Sequence, residues 1–388
     1  MSSKKNKIAV LIYSLAGGGA ERVVSQLIPY LEDKNKDVYL VVMNATRDYD
    51  FQTKNPLYFL EKSRPNENSL LKFLKLPFLA WKYHQFLKRN NINTSISFLT
   101  RPAYISILTK IFNKNRNILI SERSNPSKQY GENNFHSKIN IFLIKYLYPK
   151  SNLIITNSKG TKLDLINKFQ ISEDLISTIY NPIDIEKIEN ILPETSIFDT
   201  NYFNIITVGR LDRGKNHVLL IKVMALLKQE KVRLYILGKG PLNEELNGLI
   251  AKLGLSENVF LLGFDENPYK YMKAANLFVF SSNHEGFPNV VLEALACKLP
   301  IVSTNCPYGP NEIMNAEVKF DLDTNLHTDY GILTPLNNKT MFHEALLCML
   351  QDPKYRKQCI EKSSERVQLF SKDLILEEYF QTINSFKD

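Results

Sequence analysis

Along this chain, short runs of apolar and β-branched residues alternate with longer stretches in which apolar positions recur every three or four residues. The runs Ile8 to Tyr13, Val38 to Met43, Thr94 to Phe98, Ile118 to Ser121 and Leu153 to Thr156 predict five strands in the first half. Asn204 to Val208, Arg233 to Leu237, Val259 to Leu262, Leu277 to Phe280 and Ile301 to Ser303 predict five in the second. These runs lack a polar face. Strands of that kind belong to parallel sheets covered on both sides by helices, so the pattern predicts two Rossmann-like, doubly wound α/β domains. Periodicity breaks at Asn181-Pro182-Ile183-Asp184 and stays irregular to Asn201, which places the domains at residues 1–185 and 186–371, followed by a tail at 372–388. Ligands of open α/β sheets sit beyond the carboxyl ends of the strands, so two such sheets facing across a cleft would put the chemistry in the loops after the strands.

Charge separates the halves. The net charge is +9, but residues 1–185 carry 27 Lys and Arg against 14 Asp and Glu, a balance of +13, and the remainder carries −4. Such a field draws polyanions or an anionic membrane surface to the first domain. No apolar run approaches the ~20 residues of a membrane span. Cys297, Cys306, Cys348 and Cys359 form no C-x-x-C pair and are expected to be reduced thiols in a cytosolic protein. The start, Lys4, Lys5 and Lys7 before IAVLIYSLA, imitates a signal peptide, yet it runs through Gly17-Gly18-Gly19 into a helical pattern, and a strand is the better reading.

After the strand Asn204 to Val208 comes Gly209-Arg210-Leu211-Asp212-Arg213-Gly214-Lys215-Asn216. This resembles a Walker A loop in which Asn216 replaces the metal-holding hydroxyl, and no later strand ends in a clear metal-binding Asp; a nucleotide hydrolase is disfavoured. What survives is a glycine turn presenting Arg210 and Lys215 beside a helix start, suited to a diphosphate without a metal, or else a solvated basic turn. Gly238-Lys239-Gly240-Pro241 ends the next strand, as a ligand-approaching loop or a plain turn. The strongest local signal is Ser281 to Ala294, where Glu285 precedes a helix and Glu293 falls within it among apolar neighbours, where a ribose diol would supply hydrogen bonds. The plain alternative is a capping carboxylate and a surface Glu. In the first domain, Gly17 to Gly19 lacks a dinucleotide fingerprint but places amides at a helix start, and Ser121-Glu122-Arg123-Ser124-Asn125-Pro126 is a second candidate loop. The triplets Asp48-Tyr49-Asp50 and Asp321-Leu322-Asp323 follow no trusted strand and are discounted. The six histidines show no metal-ligand spacing.

Leu70 to Arg89 mixes Leu, Phe and the single Trp81 with Lys72, Lys75, Lys82, Lys88 and Arg89, and Ser137 to Lys150 repeats the mixture. Each reads either as a basic amphipathic element for the headgroup plane, the first kinked by Pro77, or as a helix packed on the sheet with a solvated basic face.

Taken in order, Gly209-Arg210 with Lys215-Asn216, Gly238-x-Gly240-Pro241 and the E-x7-E element Glu285-Gly286-Phe287-Pro288 to Glu293 resemble family 4 retaining glycosyltransferases of the GT-B fold, over nearly the whole chain. Gly18-Gly19-Ala20-Glu21-Arg22, Leu71 to Ala80 and Gly263-Phe264-Asp265 to Met272 are similar to the members that add N-acetylgalactosamine to an undecaprenyl-diphosphate-linked saccharide in N-linked glycan assembly. Pro307-Tyr308-Gly309-Pro310-Asn311-Glu312 is more like a broader set of family 4 enzymes. The resemblance implies that Arg210 and Lys215 hold the UDP diphosphate and that Glu285 meets the donor sugar. Glu293 would hold the ribose, and Gly286, Phe287, Pro288 and Asn289 the sugar-phosphate end. Gly238, Gly240 and Phe264 would border the nucleotide, Gly18 and Gly19 would approach from the facing domain, and residues after Lys372 would cross back to the first domain. It also implies UDP-N-acetylgalactosamine as donor, a polyprenyl-diphosphate-linked saccharide as acceptor, a peripheral place on the cytoplasmic face of the inner membrane, and neither a metal nor a nucleic-acid partner. Another polyprenyl-linked or surface-polysaccharide pathway with a different UDP-hexose, and a non-enzymatic glycolipid binder, are the alternatives.

Overall fold

The computed structural model describes residues 6–16, 18–44, 53–61, 69–316 and 321–386. The chain divides into two compact units, Met1–Pro182 with Lys372–Asp388, and Ile183–Ser371.

The first unit is built on seven parallel strands: β1 (Lys7–Ile12), β2 (Asp37–Val42), β3 (Tyr58–Phe59), β4 (Thr94–Phe98), β5 (Asn117–Glu122), β6 (Leu153–Thr156) and β7 (Ile176–Thr178). Their order is β3-β2-β1-β4-β5-β6-β7. The apolar run that imitates a signal peptide is β1, the central strand, in register with β2 at Ile8 opposite Val38 and with β4 at Ile8 opposite Thr94. Its alternate side chains feed two cores. Ile8, Val10 and Ile12 pack with the helices Gly19–Asp33 and Lys372–Asn384, whereas Ala9 and Leu11 pack with Leu76–Arg89, Thr100–Leu108, Phe135–Leu147 and Lys159–Phe169. Both faces are therefore covered, which is why no polar alternation is visible in the strand sequences.

The stretch Leu70 to Arg89 is two helices, Ser69–Leu74 and Leu76–Arg89, rather than one kinked helix. Pro77 falls in the first turn of the second helix, where its missing N–H leaves no hydrogen bond unmade. The terminal helix Lys372–Asn384 is fastened to Gly19–Asp33 through Glu377, which accepts from the Tyr30 hydroxyl and pairs with Lys34 at 3.0 Å. Those hydrogen bonds hold the Glu377 carboxyl down at about 2.

The second unit has β8 (Phe203–Val208), β9 (Val232–Leu237), β10 (Val259–Gly263), β11 (Leu277–Phe280), β12 (Ile301–Thr304), β13 (Leu326–Thr328) and β14 (Gly331–Thr334). Their order is β10-β9-β8-β11-β12-β14-β13, all parallel except the edge strand β13. Ile205, Leu234, Ile236, Val279 and Val302 pack against the helices His217–Met224 and Lys339–Gln351. In each sheet the chain order reverses beside the first strand, between β1 and β4 and between β8 and β11. At such reversals the loops leaving the two neighbouring strands splay to opposite sides and open a crevice, so these loops are where a ligand is received.

Candidate active site

The loop after β8, Gly209 to Asn216, is bolted to the loop after β11. The Ser281 hydroxyl donates to the Lys215 carbonyl at 2.8 Å, the Asn283 N–H to the Gly214 carbonyl at 2.8 Å, and the Asn283 amide to the Arg213 carbonyl at 3.2 Å. Asn216 itself is left-handed, φ 50° and ψ 43°, a conformation that asparagine tolerates, and its amide donates to Asn283 and Asn337. The residue that stands where a Walker loop has its hydroxyl is thus used to fix the turn. On the other side the turn meets the glycines after β9: a Cβ on Gly238 would lie 1.9 Å from the Gly209 carbonyl oxygen, so only glycine fits there. The Gly238 N–H in turn donates to the Gly263 carbonyl at 2.7 Å, joining the loops after β9 and β10.

Within this frame Lys215 and Glu285, seventy residues apart, meet: Nζ to Oε1 is 2.6 Å, with the side chains 25% and 16% exposed. The lysine stem runs over Gly209 and its ammonium lies 5.4 Å from the centre of the buried Phe280 ring. Glu285 is gripped through its backbone, its N–H donating to the Pro307 carbonyl and its carbonyl accepting from the Tyr308 N–H. Gly309, at φ +105°, allows the Pro307-Tyr308 segment this close, because a Cβ there would come within 2.4 Å of Pro288 Cδ. Arg210 is placed differently. Its side chain is 72% exposed and its nearest charge is Asp212 at 3.8 Å.

Glu293, in the helix Asn289–Ala296, is buried, and the Tyr269 hydroxyl donates to it at 3.4 Å. Because the helix starts only at Asn289, the two carboxylates are not on one helical face: Glu285 precedes it in a loop. Phe287 is buried against Phe370, and Pro288 caps the helix. Phe264 is largely exposed, with the Lys239 ammonium 4.4 Å above its ring.

His217, the first residue of the helix behind the glycine turn, is buried, and neither ring nitrogen has a hydrogen bond of normal geometry. Burial, then the Lys215 charge, lowers its pKa to about 4, against a weaker opposing pull from the Arg210 and Gly209 backbone. The folded protein therefore binds fewer protons than the unfolded chain between pH 4 and 6.5, and stability is lost as pH falls through that window. His217→Gln removes this contribution. Its stability relative to wild type should rise by up to about 3 kcal/mol from pH 7 to pH 4, read by denaturant unfolding.

In the first unit, Gly18 caps the helix that begins at Gly19, and Glu21 beneath it is buried, bonded to Ser14 and raised in pKa by that burial. Gly17 lies outside the described residues. In the loop Ser121 to Pro126 the two charged side chains are engaged within the unit. Glu122 accepts from the Tyr148 and Thr100 hydroxyls and from the Arg123 and Ser124 backbone, while Arg123 donates to Tyr379 and Asn181. Asp48 to Asp50 lie outside the described residues, and Asp321 and Asp323 sit on an exposed loop. No group of three or more His, Cys, Asp or Glu able to hold a metal occurs among the described residues.

Residues 17–187 match the profile of Glycosyltransferase Family 4, and residues 189–366 that of Glycosyl transferases group 1. Over 367 residues the chain is 42% identical to an N-acetylgalactosamine-N,N'-diacetylbacillosaminyl-diphospho-undecaprenol 4-alpha-N-acetylgalactosaminyltransferase of Campylobacter jejuni, covering 94% of this chain and 96% of that protein. The chain belongs to the family 4 glycosyltransferases. A second C. jejuni protein, a GalNAc-alpha-(1->4)-GalNAc-alpha-(1->3)-diNAcBac-PP-undecaprenol alpha-1,4-N-acetyl-D-galactosaminyltransferase, is 25% identical across 98% of this chain and 99% of its own. Among solved structures, Anabaena HepE in complex with UDP and glucose matches with a TM-score of 0.79 at 20% identity, covering 98% of this chain and 99% of that one, a likeness of fold.

As a family 4 glycosyltransferase the chain is a transferase of the GT-B fold, and the hydrolase reading of its glycine turn is set aside. Its four cysteines are free; burial pushes the Cys297 and Cys359 thiols up to about 12, and burial, with the Glu285 carboxylate, raises the Cys306 thiol well above the ordinary thiol range. Sequence reasoning quoted Tyr269, Asn283 and Pro307-Tyr308 within longer motifs but gave none of them a role. Asn283 falls inside the segment Ser281 to Ala294 that carries the strongest local signal, in the loop after β11. The Tyr269 contact and the backbone grip on Glu285 are made by segments distant in sequence and left none.

Proposed function

We propose that this glycosyltransferase moves N-acetylgalactosamine from UDP-N-acetylgalactosamine to a polyprenyl-diphosphate-linked saccharide, with retained anomeric configuration and without an essential metal. The observation that carries the choice of sugar and acceptor is the 42% identity, end to end, with a C. jejuni enzyme named for that sugar and an undecaprenol-linked substrate. The geometry supports the chemistry. In the transition state the departing diphosphate gains negative charge, and Lys215 presents a cation at the strand-order reversal from a backbone held by Ser281 and Asp212. Arg210, exposed on the same turn, would add a second cation to the diphosphate. Glu285 would accept from hydroxyls of the donor sugar, Glu293 from the ribose, and Phe264 and the Gly238 and Gly240 loop would border the base. The amides around Gly286 to Asn289 would face the sugar-phosphate end. A panel of UDP-sugars offered with polyprenyl-diphosphate saccharides, in chelator, tests this by product mass. A mass gain of one N-acetylhexosamine from UDP-N-acetylgalactosamine, well above the other donors, is expected. Preference for another UDP-hexose would replace the donor assignment.

The first unit would meet the membrane. Leu74 and Phe78 are 67% and 61% exposed, and Leu70, Leu71 and Trp81 beside them, with Phe135, Phe142 and Tyr146 on the helix Phe135–Leu147, are exposed too. The Phe73 and His136 rings, tilted by 44° with centroids 5.6 Å apart, link the two groups, and Lys72, Lys75, Lys82, Lys138, Lys145 and Lys150 are interleaved among them. Aromatic and aliphatic side chains amid lysines suit the headgroup plane of an anionic leaflet at the cytoplasmic face of the inner membrane. No helix among the described residues is long and apolar enough to cross a membrane. Replacing Leu74 and Phe78 together by Glu should lower partitioning onto phosphatidylglycerol vesicles about tenfold. Turnover on a short-chain, water-soluble acceptor should stay near wild type.

A further inference from the structure

Lys215 and Glu285 are each anchored by their own backbone and converge on one another. The Lys215 N–H donates to Asp212 at 3.1 Å and its carbonyl accepts from Ser281, while Glu285 is tied on both sides to the Pro307-Tyr308 segment. The ammonium and carboxylate, mostly removed from water, then sit 2.6 Å apart. An ammonium is a compact charge with three donors, drawn equally to a carboxylate or a phosphate oxygen. A diphosphate binding to Lys215 must therefore compete with Glu285.

We infer that this ion pair is a release latch: by drawing Lys215 back, Glu285 lowers the affinity of the enzyme for UDP once the sugar has been transferred. The inference rests on the reading of Lys215 as the diphosphate-binding cation. While the sugar is attached, its hydroxyls engage Glu285 and the lysine serves the diphosphate. After transfer those hydroxyls are gone, the carboxylate returns to the ammonium, and UDP is held less tightly. The same two side chains thus bind the donor together and oppose one another over the product.

Calorimetric titration of UDP into the full chain tests this in wild type, Glu285→Gln, Lys215→Ala and the double variant. The latch predicts that Glu285→Gln tightens UDP binding about two- to fivefold, the scale of a partly solvated charge pair. Sugar transfer should slow in the same variant. A gain in affinity is not a result that a misfolded site can produce. The tightening should vanish in the Lys215→Ala background, where there is no ammonium to contest. Equal tightening in both backgrounds would show direct repulsion between carboxylate and diphosphate and overturn the latch. So would unchanged or weaker UDP binding in Glu285→Gln alongside weaker binding in Lys215→Ala. Wild-type UDP affinity in Lys215→Ala would instead remove the reading on which the latch stands.

Discussion

Replacing Lys215 by Ala lowers kcat/KM for sugar transfer by about 10²- to 10³-fold, the usual consequence of removing one preorganised charge from a developing anion. The loss should be mostly in kcat, because the negative charge on the leaving diphosphate is greatest in the transition state. Stability changes little. The ion pair with Glu285 is partly solvated, and pairs of that kind contribute about 1 kcal/mol or less. The turn does not need the side chain to hold its shape, since its hydrogen bonds to Ser281 and Asp212 use the Lys215 backbone. Steady-state kinetics with thermal unfolding of the same samples separates the two effects. Wild-type turnover in a folded Lys215→Ala protein would take the lysine out of the chemistry.

Gly238→Ala is expected to act through the backbone instead. The new methyl would sit 1.9 Å from the Gly209 carbonyl oxygen and 2.9 Å from its carbon, neither of which belongs to a movable side chain. Either the glycine turn or the end of β9 must shift, at a cost of about 2–4 kcal/mol, and the hydrogen bonds from Gly209 to Leu237 and from Leu211 to Lys239 go with it. Donor binding should fall with stability, because the displaced turn carries Lys215. Gly248 is the control: it lies in the helix Asn243–Lys252 with no atom within 4 Å of an added Cβ, so Gly248→Ala should be neutral or stabilise by up to about 1 kcal/mol. Denaturant unfolding of the two variants, with UDP titration, checks the contrast. A Gly238→Ala protein as stable as wild type would contradict the close packing of the two loops.

Most of the ten strands visible in the hydrophobic pattern are largely buried, the exception being the edge strand β10, which is buried only at Val259. Thr94 to Phe98 and Leu277 to Phe280 coincide with β4 and β11 because continuous apolar runs bounded by polar residues have few other ways to be buried. β7 and β14 escaped notice because Ile176–Thr178 and Gly331–Thr334 are short and rich in Thr, Ser or Gly; they become strands by pairing, β7 with β6 and β14 with β12 and β13. At the site, residue types and order sufficed to nominate Lys215, Glu285 and Glu293. Their relations were not legible. That Lys215 binds Glu285, that Arg210 stays exposed, and that Asn216 ties the turn to Asn283 are outcomes of how loops from different strands pack, and no local pattern encodes them.

The measurement closest to the central claim follows one reaction by NMR: UDP-N-acetylgalactosamine, an undecaprenyl-diphosphate-linked saccharide and the full chain, with chelator present. Free UDP and a new α-glycosidic signal should appear in equal amounts, and neither should appear at a comparable rate with Lys215→Ala. UDP release without a glycosylated lipid, a β-linked product, or transfer that the lysine variant sustains at the wild-type rate would contradict the account.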